Sequence, residues 1–389
     1  MEERIHMLQE RLIGSGTDGM IITRHTDIYY FTGTMQAGFL FVPAVGEPMF
    51  YVRRSVNRAK EESGIAIEPL GSLRLLGGRI AESQPGFVGK RKIAVTSDTL
   101  PVEWYERFQS LLPDAEWTNG SKLIRELRMV KDASEIDRIR RGGRMVGEAL
   151  QEALKRANAG MKEIDLLAEI EYELRKRGHL GMMRVRSMNS EMVTGIAASG
   201  AAAAKPSSFD GPAGGEGLHP SFAKGAGWST IERNEPILLD IGCNCEGYIV
   251  DQTRTAVFGE LPEDLRRAYE ISETILRSIE RELKPGANGE HIHELSLRLA
   301  AEAGLADHFM GFGADAVKFV GHGVGLEVDE WPVLAKGFAC RLEAGMVIAI
   351  EPKFTFPGRG VVGIENTYAI TDTGFELLSP LPEGLWALN

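Results

Sequence analysis

The stretch Pro236–Phe258, PILLDIGCNCEGYIVDQTRTAVF, constrains this chain more than any other. Ile237-Leu238-Leu239 and Tyr248-Ile249-Val250 are apolar, β-rich runs, and each reads as a strand. The polar segment Gly242–Gly247 between them reads as a turn. If the chain folds back at Cys245-Glu246, Asp240 and Asp251 lie equally far from the turn and face each other. Residues opposite one another in a hairpin point to the same side. Two carboxylates so placed repel by about 3 kcal/mol at ~5 Å and an effective dielectric near 20. The usual reason for a folded chain to keep such a pair is a bound cation.

The construction recurs near the C-terminus. Met346–Glu351 and Val361–Glu365 read as strands, and Pro357-Gly358-Arg359-Gly360 turns the chain between them. Glu351 and Glu365 are symmetric about Gly358, so they too face each other. Two such hairpins offer four carboxylates to one place, and a two-metal centre needs about that plus a softer ligand. His322, flanked by glycines in Phe319–Gly325, is the candidate for the softer ligand. A lone strand Asp is more often a turn or surface residue. The joint pattern, two acidic pairs at hairpin symmetry in apolar strands, carries the argument.

The set Asp240, Asp251, His322, Glu351 and Glu365, with the strings LLDIG, YIVDQTRT, GHGVGLEVDE, VIAIEP and GIENT in that order, resembles the pita-bread metallopeptidases. TDGMIITRHTDIYYFTGT at 17–34 is similar to the start of the N-terminal domain shared by prolidase, aminopeptidase P and creatinase. The resemblance implies an α/β creatinase-like domain over 1–125. A pita-bread catalytic domain of α+β class and pseudo-twofold symmetry follows over 126–389. It implies two divalent ions, manganese or cobalt with iron or zinc also compatible, bridged by Asp251 and Glu365. Asp240 would chelate one ion, His322 and Glu351 the other, and Glu351 would act as general base. The implied reaction is hydrolysis of a C–N bond in a small peptide, most simply by an Xaa-Pro dipeptidase or aminopeptidase. A homodimer is the family habit. The alternatives are a creatinase-like hydrolase of a non-peptide amide or amidine, and a non-enzymatic binding module. The intact ligand set argues against both a metal-free mechanism and the binding module.

Two positions depart from the family. Its usual histidine seven residues after the ligand His is Asp329 here, and an ionised Asp donates no hydrogen bond to an oxyanion. Asp329 would suit a cationic substrate group instead. For the family histidine that precedes the first hairpin, His219 is the nearest match. Arg184 and Arg186 read equally as holders of a substrate carboxylate and as surface residues.

The 389 residues suffice for two domains. A net charge of −11 argues against nucleic-acid or anionic-membrane partners. Cys243, Cys245 and Cys340 are too few for a disulfide framework and read as reduced thiols of a cytoplasmic protein. MEERIHMLQERL has no apolar signal core, and no run is long enough to span a membrane.

Glu2–Ile13 reads as a helix, and Gly19–Thr23, Ile28–Thr32, Gly38–Val42, Pro48–Val52 and Lys92–Val95 read as strands. Arg24 and His25 read as surface or interdomain residues. A helix is expected to begin near Ser134 as N-cap and run toward Gly160, a second to end near Gly178, and two more to lie at about 262–283 and 289–303. His179, His291, His293 and His308 read as surface, loop or helix-end histidines. Ser199–Gly227, rich in Gly, Ala, Pro and Ser, reads as a functional loop forming one wall of a substrate pocket.

Overall fold

The computed structural model describes residues 1–84, 89–188 and 191–389. The chain divides into Met1–Arg128 and Met129–Asn389. In the first unit, β1 (Gly19–Ile22), β2 (Gly38–Pro43), β3 (Met49–Val52), β4 (Ile67–Pro69), β5 (Arg91–Val95) and β6 (Ala115–Asn119) form one sheet, ordered β4-β3-β2-β1-β5-β6. Its helices are α1 (Glu2–Gly14), α2 (His25–Thr32), α3 (Val56–Glu62), α4 (Leu76–Ser83), α5 (Val102–Leu111) and α6 (Ser121–Met129). Strand alternation sends Ile21, Phe39, Phe41 and Ile93 to one side, where they meet Leu76, Ile80 and Phe108 in a common core.

Ile28–Thr32, expected as a strand, is the end of α2. Gly33 closes the helix at φ 79°, and the Thr32 hydroxyl donates to the Ile28 carbonyl at 2.8 Å. Asp27 on this helix is buried and takes a 2.7 Å bond from the equally buried Arg128. The aromatic and β-branched run is thus held helical by its tertiary partners. His25 is exposed.

The second unit is built twice over. Its first half runs α7 (Ala133–Leu154), α8 (Glu163–Lys176), β7 (Gly195–Ser199), a short α9 (Gly200–Ala203), β8 (Ile237–Ile241), the hairpin β9 (Cys243–Cys245) and β10 (Tyr248–Val250), then β11 (Thr253–Phe258). Its second half runs α10 (Glu263–Glu280), α11 (Gly289–Glu302), β12 (Phe319–Gly323), β13 (Glu330–Ala335), β14 (Val347–Ile350), the hairpin β15 (Lys353–Phe356) and β16 (Gly360–Gly363), then β17 (Asn366–Ile370). With β18 (Phe375–Leu377) and β19 (Trp386–Leu388), the two larger sheets are ordered β19-β11-β8-β7 and β13-β12-β14-β17-β18. The triplets β11-β8-β7 and β17-β14-β12 correspond, which is the internal twofold in topological form.

Asp132, rather than Ser134, caps α7. Its carboxylate accepts from the Ser134 and Glu135 amides, and Glu135 accepts in return from the Asp132 amide. Ile139, Val146, Leu150 and Ala153 form the buried face at helical spacing. On α10, Leu265, Tyr269, Ile275 and Ile279 join Val320, Ile348, Ile350 and Tyr368 of the sheet in a common core. Each such side chain contributes about 1.5–3 kcal/mol by leaving water.

His293, expected at the surface, lies on the inward face of α11 beside Ile292 and is buried, whereas His291 is exposed. His179 is also buried. Its Nδ1 accepts from the Asn244 amide at 2.9 Å, and burial pushes its pKa down to about 4. It therefore ties the end of α8 to β9 as a neutral ring.

Two glycines of α7 give a paired stability prediction. A Cβ on Gly143 would sit 2.0 Å from the Leu378 carbonyl oxygen, whereas one on Gly147 would meet Leu381 Cγ at an ordinary 3.5 Å. Gly143→Ala is expected to destabilise the protein by about 1–3 kcal/mol despite alanine's helix propensity. Gly147→Ala is expected to be neutral or to stabilise by up to about 1 kcal/mol. Denaturant midpoints measure both.

Candidate functional site

The first acidic hairpin turns one residue later than the sequence reading placed it. Glu246 and Gly247 occupy the turn with φ of 50° and 95°, and Cys245 pairs with Tyr248. A two-residue hairpin loop of this kind needs positive φ at both positions, and Gly247 supplies the second without strain. Asp240 therefore pairs with Thr253, not with Asp251. The correction amounts to two residues along the partner strand. A shift of one would have turned Asp251 to the other face, but a shift of two does not. Both carboxylates line the same cleft.

The second hairpin keeps the symmetry about Gly358. Ile350 pairs with Asn366 and Lys353 with Gly363, so Glu351 and Glu365 fall opposite each other in one continuous register. Thr253 and Glu365 then exchange backbone bonds across the two halves, at 3.3 and 3.1 Å. That exchange brings Asp251 and Glu365 together.

Asp251, His322 and Glu365 offer ligand atoms that all lie within 4.8 Å of one another. His322 Nδ1 faces the Gly323 carbonyl at 3.2 Å, leaving Nε2 3.7 Å from Glu351 Oε1 and 3.9 Å from Glu365 Oε1. Glu365 Oε1 is buried and has no hydrogen-bond partner among the described residues. A deep imidazole nitrogen and an unpartnered carboxylate oxygen are donors that suit a divalent cation, so these residues fit one such ion.

The oxygens expected to hold a second ion are turned elsewhere. Lys353 Nζ, fully buried, donates to Glu351 Oε2 at 2.6 Å, Glu365 Oε2 at 2.9 Å and Asp240 Oδ2 at 3.2 Å. The Thr253 hydroxyl donates to the same Glu365 Oε2 at 2.7 Å. Each glutamate thus gives Oε2 to the lysine and Oε1 to the histidine side.

Burial raises the pKa of Asp251 well above the usual carboxylate range, and the Glu365 and Asp240 carboxylates push it further. Burial lifts Glu351 to about 7, against the opposing pull of Lys353. Burial opposes the charge on Lys353, but Asp240, Glu351 and Glu365 outweigh it and hold the amine protonated. His322 behaves likewise: burial disfavours its proton, and Asp329, Glu351 and Glu365 together raise its pKa above the ordinary value.

The cleft over this cluster encloses about 540 Å³, open solvent at its mouth included. Met183, Met192, Val193, Ile196 and Val328 supply apolar lining. The 199–227 segment supplies Phe209, Pro212 and Lys224. One carboxylate gathers both ends of that segment. Buried Glu163 accepts from the Ser199 amide at 2.7 Å and from the Gly227 amide at 2.9 Å.

Asp329 lines the cleft, with Oδ1 3.4 Å from His322 Nδ1. His219 does not line it. That residue is exposed, and its Nδ1 accepts from the Ser221 amide at 3.1 Å within a local turn. The cleft position goes instead to Lys224, whose ammonium lies 3.0 Å from the Phe209 ring centroid. Burial lowers its pKa to about 8, partly offset by Asp240, Asp329, Asp251 and Glu351. Arg184 and Arg186 are not among the residues lining the cleft; Arg186 lies 3.8 Å from buried Glu327. Cys243 and Cys245 are buried free thiols, and burial raises the pKa of both. Among the described residues no helix is long and apolar enough to cross a membrane.

Lys224 and Lys353 were both missed in the sequence. Lys353 had a readable signal, since it stands two residues from Glu351 and strand alternation sends both side chains to one face.

Residues 137–372 match the metallopeptidase family M24, and residues 4–130 match the creatinase/prolidase N-terminal domain. A protein named Xaa-Pro dipeptidase from Pyrococcus horikoshii is 26% identical over 381 residues, covering 97% of each chain. One of the same name from Lactobacillus delbrueckii is 26% identical, covering 95% of this chain and 94% of its own. Among solved structures, an Xaa-Pro dipeptidase from Bacillus anthracis superposes with a TM-score of 0.84 at 27% identity, covering 100% of this chain and 99% of its own. The prolidase from Pyrococcus horikoshii superposes at 0.82 and 25% identity, covering 98% and 99%. The two-domain architecture expected from the sequence, with a creatinase-like N-terminal domain and a pita-bread catalytic domain, is the one present.

Glu163→Gln tests the loop closure. A glutamine presents one carbonyl oxygen and sets an NH₂ against the second amide, so one buried bond worth about 1–3 kcal/mol is lost. Limited proteolysis within 200–226 is expected to speed up about tenfold, with overall Tm changing little. Unchanged cleavage would mean that the loop ends are held by something else.

Proposed function

Because the chain belongs to metallopeptidase family M24, we propose that it hydrolyses the peptide bond of small peptides, Xaa-Pro dipeptides first among them, with a bound divalent metal. The observation that carries this reading is the convergence of Asp251, His322 and Glu365 at the floor of a solvent-open cleft. An ion held there, manganese or cobalt by preference, would polarise the scissile carbonyl and acidify water. Glu351, whose Oε1 faces the same cleft 3.7 Å from His322 Nε2, would take the attacking water's proton and return it to the departing proline nitrogen. Asp240 holds the cluster's remaining cation, Lys353. At the rim, Lys224 and Asp329 present opposite charges. They complement the carboxylate and the ammonium of a free dipeptide, and Asp329 takes no part in donating to an oxyanion. The reading includes a cytoplasmic homodimer.

Metal-loaded protein is expected to turn over Xaa-Pro dipeptides faster than longer Xaa-Pro peptides or small amides and amidines. Preference for the amides would move the assignment to a creatinase-like hydrolase, and no turnover at all would sink the enzymatic reading. Lys224→Met is expected to raise KM for a dipeptide about 10- to 100-fold, the worth of one charge-assisted bond, with a smaller change in kcat. KM for the same dipeptide with its carboxylate amidated should move little.

A further inference from the structure

The geometry points to Lys353 as a built-in cation that takes the place of one of the two metal ions, so that this chain binds a single divalent ion. The inference rests on the metal-dependent reading above. Three observations carry it.

The first is placement. Nζ touches Asp240, Glu351 and Glu365, carboxylates drawn from both acidic hairpins, and its three bonds use all three ammonium donors. A divalent ion at that point would need those same oxygens. Among the described residues Lys353 donates to no other group. Leaving would strand a desolvated ammonium or require the stem to be extracted from the core.

The second is the seat of the stem. Lys353 pairs with Gly363 on the neighbouring strand, and a Cβ at 363 would meet Lys353 Cγ at 2.6 Å. The lysine thus fills a channel that the opposite strand keeps clear.

The third is charge. Asp240, Asp251, Glu351 and Glu365 supply four negative charges, which two divalent ions would balance if position 353 were neutral. With the ammonium in place, one divalent ion leaves a single residual negative charge, and two would leave the buried cluster net positive. The oxygens are already shared out to match. Glu365 Oε2 serves Lys353 and Thr253, while Oε1 is unpartnered and faces His322 Nε2 with Glu351 Oε1. The single ion would lie with Asp251, His322 and Glu365 Oε1, which leaves Glu351 Oε1 free beside it to act as base.

The test is metal content, read apart from activity. Protein dialysed against excess manganese(II) and then freed of loose ion is expected to retain one ion per chain by elemental analysis. Its electron paramagnetic resonance spectrum is expected to be that of an isolated manganese(II). Lys353→Met, which keeps most of the stem and removes the charge, is expected to raise the content to two and produce the spectrum of an exchange-coupled pair. Two ions or a coupled pair in the unmodified protein would overturn the inference, whether or not the variant folds. A folded variant that still holds one ion would overturn it as well. No retained ion in either protein would remove the metal-dependent reading itself, and a single ion with no peptidase activity would remove that reading's substrate while leaving the lysine's role intact.

Discussion

The reciprocal backbone pair between Thr253 and Glu365 is the joint on which the second unit turns. Each half brings one acidic seam, and the seams meet where these two residues exchange amide bonds, with Asp251–Thr367 and Thr255–Gly363 bonds on either side. Arg254 locks the joint from behind. Its side chain donates to the carbonyls of Thr253, Glu365, Leu381 and Pro382 and to Asn366 Oδ1, so all five N–H groups of the fork find acceptors. The residue is wholly buried, and burial lowers its pKa to about 10. A lysine could not replace it, because a point charge with three donors cannot span five acceptors in a plane.

Around that joint the cluster is an exercise in matching charge under desolvation. Four carboxylates crowd a low-dielectric floor, where burial first and neighbouring carboxylates second raise the pKa of Asp251 and Glu351, and the cluster must find protons, an amine or an ion. Lys353 meets part of that demand from below, where its stem runs through the core. His322 and the unpartnered Glu365 oxygen face the cleft. The wall above is a separate piece of engineering: a polar, glycine-rich segment whose ends are pinched by the Glu163 carboxylate. Floor and wall are therefore stabilised by different residues.

The sequence disclosed the acids, the histidine and the strand pairs because period-two alternation and hairpin symmetry are local rules. It misplaced the first turn because Cys245-Glu246 and Glu246-Gly247 differ only in which residue must accept positive φ, and Gly247 decides that. The two-residue error was harmless to the site because alternation repeats every two residues. The helix at Ile28–Thr32 was misread because its β-rich composition is overruled by a buried ion pair whose partner, Arg128, lies 101 residues away. His219 drew attention as the nearest imidazole, yet a local turn holds it at the surface, and the same segment sends Lys224 to the cleft instead. Lys353 went unread because attention to acids hides a base of the same parity.

An ammonium anchored to the backbone differs from an ion in one respect that matters outside the test tube. It cannot be diluted away, exchanged for a competitor or stripped by a chelator. Were Lys353 to stand in for one ion, a third of the cluster's positive charge would be fixed to the chain, only one equivalent of metal would be drawn from the surroundings, and the acidic core would keep a counter-charge when that metal is scarce.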